Sequence, residues 1–170
     1  MLEIIAFLCL AGALVFLCVL SLIDLKHGLL PNELVFGFLC LGIIFHLCTL
    51  FTYLSVTDMV LGGFMGGGIL YLIRAIAMRF YGADALGLGD VKLLAAAGLW
   101  LGPYYILIAM TLGALAGIAH GLGMALYYRK KNKMKVDLAG LSLPAGPGFA
   151  VGTVIAAVTK FHDLPGLLMP

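Results

Sequence analysis

Asp24 and Asp90 each stand where a long apolar segment meets a polar turn, and Asp90 closes the run Gly87-Leu88-Gly89-Asp90. A carboxyl near hydrocarbon is costly, so two of them at matching depth mark a functional site. Two carboxyls that approach each other can share one proton, and such a pair can split water between them. These residues therefore point to an intramembrane aspartyl protease. Taken singly, each has a structural alternative. Asp24 reads equally as a solvated acid at a helix end and Asp90 as a capping acid at a helix start. Neither alternative requires the depths to match.

The segments that must position the two acids are strongly apolar. The chain has 170 residues, of which 64% are hydrophobic and 11% charged, with a mean hydropathy of +1.16. A soluble domain of this size needs far more charge to cover its surface. The expectation is one polytopic membrane domain over residues 1–170. A net charge of +2 argues against nucleic acid as a partner. Met1-Leu2-Glu3 lacks a basic region and the apolar run 4–23 is long enough to cross a bilayer, so no cleaved signal peptide is expected. Cys9, Cys18, Cys40 and Cys48 lie in apolar runs without a Cys-x-x-Cys pair, as small hydrophobes would. No disulfide framework, metal or cofactor is expected.

Hydropathy and turn signals predict an all-α bundle of about six transmembrane helices. The first covers 2–23 and ends at the polar turn 24–28. A second starts at Pro31, which suits a first helical turn, and continues to 53. The others cover 58–78, a short stretch from 90 to 101 before Gly102-Pro103, then 104–128 and 147–161. Two complete spans separate Asp24 from Asp90, which returns both to one membrane face. Lys26, Arg74, Arg79, Lys92, Arg129, Lys130, Lys131, Lys133 and Lys135 gather near that face, and Lys160 alone lies at the other. By the positive-inside rule the aspartate face is cytosolic and both termini are extracytoplasmic.

Other residues fit that frame. Tyr53, Trp100, Tyr104 and Tyr105 fall at the expected outer boundary, and Tyr81, Tyr127 and Tyr128 at the inner one, as interfacial aromatics do. The small-xxx-small pairs 62/66, 63/67, 113/117, 117/121 and 148/152 should let helices within the bundle approach closely. The basic run 129–135 reads as a topology anchor that touches anionic membrane lipids. Gly87 and Gly89, ahead of a helix start, offer backbone conformations closed to other residues and room for a substrate chain. A phosphate loop is disfavoured, because the further glycines and the Lys-Ser/Thr pair are missing. His46 and His120 lie inside spans without metal-ligand partners and should serve packing or hydrogen bonding. The residues specify no oligomeric state.

Three separated stretches resemble the type IV prepilin peptidases, members of the GxGD aspartyl proteases. Ile23-Asp24 with Leu30-Pro31-Asn32 is similar to that family's first-aspartate segment. The run from Gly87 to Ala96 matches its GxGD segment, and Leu143-Pro144-Ala145-Gly146-Pro147 with Ala150 and Gly152 resembles its C-terminal Pro-x-Gly-Pro stretch. Order and spacing agree over nearly the whole chain. Asp84 stands where relatives usually carry Glu, and Ala145 and Gly148 replace residues that are commonly aromatic. The resemblance implies Asp24 and Asp90 as the catalytic pair, with Gly87, Gly89, Lys92, Asp84, Pro31, Asn32, Pro144, Gly146 and Pro147 as substrate or loop support. It implies an enzyme of the bacterial inner membrane that removes short basic leaders from prepilins or pseudopilins at the cytosolic face. Bifunctional relatives carry an extra region with paired Cys-x-x-Cys motifs, absent from these residues, so N-methyltransferase activity is not expected.

Helix ends predict a division of labour. Asp90 at a helix N-terminus should hold the carboxylate and act as base, while Asp24 at a helix C-terminus should hold the proton. Lys92, two residues from Asp90, points to another face and serves mainly as a topology charge. Asp84 holds the loop, reads the leader's charge, or is a solvated loop acid. The rival outside the enzyme class is a small transporter or channel component with acidic ion or proton sites, but such a site belongs near the membrane midplane. An inactive scaffold and a presenilin-like protease fit the retained aspartates and the Pro-x-Gly-Pro stretch less well.

Overall fold

In hydrocarbon every backbone N–H and C=O must be paired internally, which a helix achieves within its own segment. The computed structural model describes residues 2–81, 87–132 and 145–162, and their regular structure is helical. The helices are α1 (Leu2–His27), α2 (Asn32–Cys48), α3 (Val56–Tyr81), α4 (Leu88–Asn132) and α5 (Gly146–Lys160). Stretches of α1, α3 and α4 are long and apolar enough to cross a membrane, and α2 is a shorter apolar helix. Large apolar side chains such as Phe64, Phe80 and Val158 are 64% or more exposed. That outer surface suits lipid, since a water-soluble monomer rarely displays such patches.

Local chemistry sets the helix ends. Gly28 adopts a φ of 63° and donates its N–H to the Asp24 carbonyl at 2.8 Å, so α1 runs through 24–27 rather than ending at Ile23. Asp24 thus sits inside the last turn. Helix α2 stops at Cys48, short of the expected Tyr53. There the Leu50 and Phe51 N–H groups donate to the Leu47 and His46 carbonyls, a cap that places Leu50 at a φ of 49°. Glycine usually fills that left-handed position. Ser55 caps α3, accepting from the Asp58 N–H and donating to its carboxylate.

The stretches expected at 90–101 and 104–128 form one continuous element broken at Gly102, whose φ is 72° and ψ 179°, with Pro103 following. The break frees carbonyls that a straight helix would have paired. Lys160 Nζ donates to the Leu101 carbonyl at 2.9 Å and lies 3.4 Å from that of Trp100. His46 Nε2 lies 3.2 Å from the Trp100 carbonyl. The role expected for His46 is therefore observed. Trp100 departs from expectation: it is 3% exposed, stacks on Phe38 and donates its indole N–H to the Phe38 carbonyl. It is a core residue, not an interfacial anchor.

Contacts fix the directions of the helical stretches. Gly12 meets Leu41 and Gly37 meets Phe16, so α1 and α2 run antiparallel. Gly62 lies against Gly98 and Gly67 against Ala95, which sets α3 antiparallel to the first arm of α4. Gly66 touches both Leu94 and Ile106, so the second arm folds back beside the first. Gly148 and Gly152 lie against Gly113 and the Ala109 carbonyl, which sets α5 antiparallel to that second arm. Direction therefore alternates along the chain. Of the glycines expected to mediate close packing, Gly62, Gly63, Gly66, Gly67, Gly113, Gly148 and Gly152 occupy these interfaces, whereas a Cβ on Gly117 would meet nothing within 4 Å.

A methyl group at Gly98 would run into the Gly62 carbonyl, whereas one at Gly68 would meet nothing within 4 Å. Gly98→Ala should destabilise the folded chain by roughly 1–3 kcal/mol through overpacking. Gly68→Ala should be neutral or stabilising by up to about 1 kcal/mol, since alanine is the better helix former. Thermal unfolding of both variants in detergent checks the contrast.

Candidate active site

Alternation brings the end of α1 and the beginnings of α2, α4 and α5 to one end of the bundle. Asp24 and Asp90 are each only 6% exposed and close enough for their charges to act on one another. The Gly146 N–H, at the start of α5, donates to Asp24 Oδ2 at 3.0 Å. Asp90 Oδ1 is buried and has no hydrogen-bond partner among the described residues. One carboxyl is thus anchored by a backbone donor, and its neighbour keeps an oxygen uncommitted. Two neighbouring buried acids, one anchored and one uncommitted, are the groups that acid–base chemistry on water would use.

The supporting residues divide by contact. Asp90 lies in the first turn of α4 but two residues beyond its start at Leu88, so it is a buried side chain rather than the cap. Gly87 leaves room for it: a Cβ there would sit 3.3 Å from Asp90 Oδ2. Gly89 leaves room for a neighbour instead, since a Cβ would come within 2.9 Å of Leu30 Cβ. Among described glycines only Gly28 and Gly102 have positive φ, so Gly87 and Gly89 are needed for close approach, not for unusual backbone angles. Pro31 caps α2 with an extended backbone, and Pro147 lies in the first turn of α5.

Lys92 also has a local contact. Its Nζ donates to Asn32 Oδ1 at 2.8 Å and ties the start of α4 to that of α2 beside the aspartates. Asp84, Pro144, Lys133 and Lys135 lie outside the described residues. The cluster missed by sequence reasoning is at the opposite end, where Lys160, His46 and Trp100 secure the break in α4. A signal existed in Gly102-Pro103, because the freed carbonyls required donors from somewhere. Lys26, Arg79 and Lys92 lie at the aspartate end of α1, α3 and α4.

Comparison with known proteins adds a second line of support. The type IV leader peptidase family matches residues 11–122. A prepilin leader peptidase/N-methyltransferase of Pectobacterium carotovorum subsp. carotovorum is 36% identical over 160 residues, covering 90% of this chain and 53% of the relative. Proteins of the same description from Aeromonas salmonicida (strain A449) and Escherichia coli (strain K12) are 34% and 30% identical, each over 140 residues. They cover 82% of this chain and 45% and 58% of the respective relatives. The chain thus spans about half the length of the curated relatives it matches. No solved structure matches it significantly.

The Gly146–Asp24 contact can be tested without any reaction. A Cβ on Gly146 would sit 2.6 Å from Asp24 Oδ2 and 2.9 Å from Cγ. Gly146→Ala should cost roughly 1–3 kcal/mol. Asp24→Ala in that background should recover part of it, with a coupling of about 0.5–3 kcal/mol in a double-mutant cycle. Denaturation in detergent reads the cycle, and strict additivity would show that the two residues do not touch.

Proposed function

The chain belongs to the type IV leader peptidase family, and on that premise we propose that it is a membrane aspartic endopeptidase acting through Asp24 and Asp90. The observation that carries this reading is the pairing of two buried carboxyls at one end of the bundle, one of them held by the Gly146 N–H. One ionised aspartate takes a proton from water as its oxygen attacks the scissile carbonyl. The other, protonated, donates to the developing oxyanion. Carbon–nitrogen cleavage follows, and the proton taken from water can pass to the departing amine. Neither step calls for a covalent enzyme intermediate.

The acid and base roles proposed here reverse those expected from the α1 and α4 termini. A hydrogen bond to a carboxylate is stronger than one to its neutral form, and Asp24 receives one from the first residue of α5. The positive end of that helix also faces Asp24 and opposes the C-terminal end of α1. We therefore assign Asp24 as base and Asp90 as acid in the free protein.

For substrates we extend to this chain the leader-peptidase part of its relatives' names. The substrates proposed are prepilins or pseudopilins with a short basic leader ahead of an apolar helix. The alternating directions support six membrane crossings, with the break at Gly102 forming a hairpin turn. Lys26, Arg79 and Lys92 at the aspartate end support a cytosolic active face in the bacterial inner membrane. The transporter alternative needs a mid-depth site, whereas Asp24 lies in the last turn of its helix.

Co-expression of a candidate prepilin with the wild type, Asp24→Asn or Asp90→Asn tests the proposal. Leader removal should occur with the wild type and fall by about 10²–10⁴-fold or more in either variant, as loss of an acid or base implies. Comparable cleavage in either variant would remove the assignment.

A further inference from the structure

The seam between α1 and α5 is closed at one end and open along its length. At the aspartate end the helices meet through Gly146 and Asp24. Farther along they part around a cleft of about 440 Å³, lined by Leu10, Leu14 and Leu17 of α1, Thr153 and Ala157 of α5, and Trp100 of α4. Leu17 and Trp100 are buried on its inner side, while Leu14 is 47% exposed and the neighbouring lining residue Val158 is 64% exposed. The cleft therefore opens sideways, toward lipid. Its inner polar groups are already used: the Thr153 hydroxyl donates to the Phe149 carbonyl and the Trp100 indole to that of Phe38, while His162, with Nδ1 3.0 Å from the Thr159 carbonyl, lines the end remote from the aspartates. A volume of this size lies within the range of binding sites, and walls that are apolar along the stretch nearer the aspartates favour an apolar occupant.

Spacing connects the cleft to the aspartates. Leu10, Leu17 and Asp24 recur at seven-residue steps on α1, and Gly146 and Thr153 do so on α5. Seven residues are close to two helical turns, so each set occupies one helix face. At ~1.5 Å per residue, Leu17 and Leu10 lie about 10 and 21 Å along α1 from Asp24. A helix whose first peptide bond sat at the carboxyls would lie beside the cleft with residues about seven to fourteen beyond that bond.

We infer that this cleft receives apolar side chains from one face of the substrate's apolar helix, the segment that follows the cleaved bond. The inference rests on the peptidase reading above and adds the surface that selects the substrate. Continuity of the two helix faces with the aspartates favours this occupant over a lipid acyl chain, which would enter from the same side but has no register with Asp24.

The test uses the full chain in phosphatidylethanolamine/phosphatidylglycerol vesicles with a prepilin that the wild type cleaves. A photoreactive phenylalanine analogue replaces Leu14 in one protein and the lipid-facing Phe64 of α3 in another. Illumination should join position 14 to the prepilin's apolar segment and position 64 to lipid alone. Ala157→Phe, which fills the cleft, should raise KM by about tenfold or more, the scale of altered apolar contacts, with kcat retained. Lipid adducts alone at position 14, equal prepilin adducts at both positions, or an unchanged KM in Ala157→Phe would overturn the inference. Cross-linking at position 14 decides the matter if Ala157→Phe does not fold. A wild type that cleaves no prepilin strikes the peptidase reading itself, whereas a cleaving wild type with only lipid adducts strikes this inference alone.

Discussion

A hydrogen bond from the Gly146 N–H to the Asp24 carboxyl joins the last described helix to the first across 122 positions of sequence. The arrangement at the aspartate end depends on it. Two acids buried side by side repel when both are ionised, and burial penalises each charge. A backbone donor offsets part of that cost at Asp24 without introducing a cation that would neutralise the pair. The donor can reach only because residue 146 has no side chain, since a Cβ would occupy the space of the carboxyl. Helix α5 is in turn held against α4 through Gly148 and Gly152, and the same α4 carries Asp90. The close-packed glycines thus link the position of one carboxyl to that of the other.

The opposite end solves a different problem. Turning α4 back on itself at Gly102-Pro103 leaves carbonyls facing an apolar interior, and an unpaired carbonyl there is expensive. Lys160 and His46 supply the missing donors, and Phe45, Tyr53 and Phe161 pack around them. Lys160 also lies 5.3 Å from the centroid of the Phe161 ring, where a cation is favourably placed. Lys160 therefore has a local structural purpose at that end. Its ammonium is engaged by helix carbonyls.

Much of this was legible in the residues. The aspartates could be placed at one end by counting apolar segments, and the pairs 62/66, 63/67 and 148/152 marked interfaces because close helix approach needs small residues wherever it occurs. The break at Gly102-Pro103 was also readable, since proline cannot donate to the preceding turn. Other features were hidden for identifiable reasons. The end of α2 relies on Leu50 in a left-handed conformation, a position where leucine gives no signal. Trp100 looked interfacial from composition, but its indole is claimed by the Phe38 carbonyl, a partner 62 positions away. The acid and base assignment proposed above differs from the helix-end expectation for the same reason. Helix-end rules saw α1 and α4, whereas the donor on Asp24 comes from α5.

The central claim is that Asp24 and Asp90 act as one unit. Isotope-edited infrared titration of the reconstituted protein, with the aspartates labelled, follows the two carboxyls directly. If they share a site, replacing Asp90 with Asn should change the proton affinity of Asp24 by about tenfold or more, the mark of strongly interacting acids. An Asp24 titration that is the same with and without Asp90 would contradict the account.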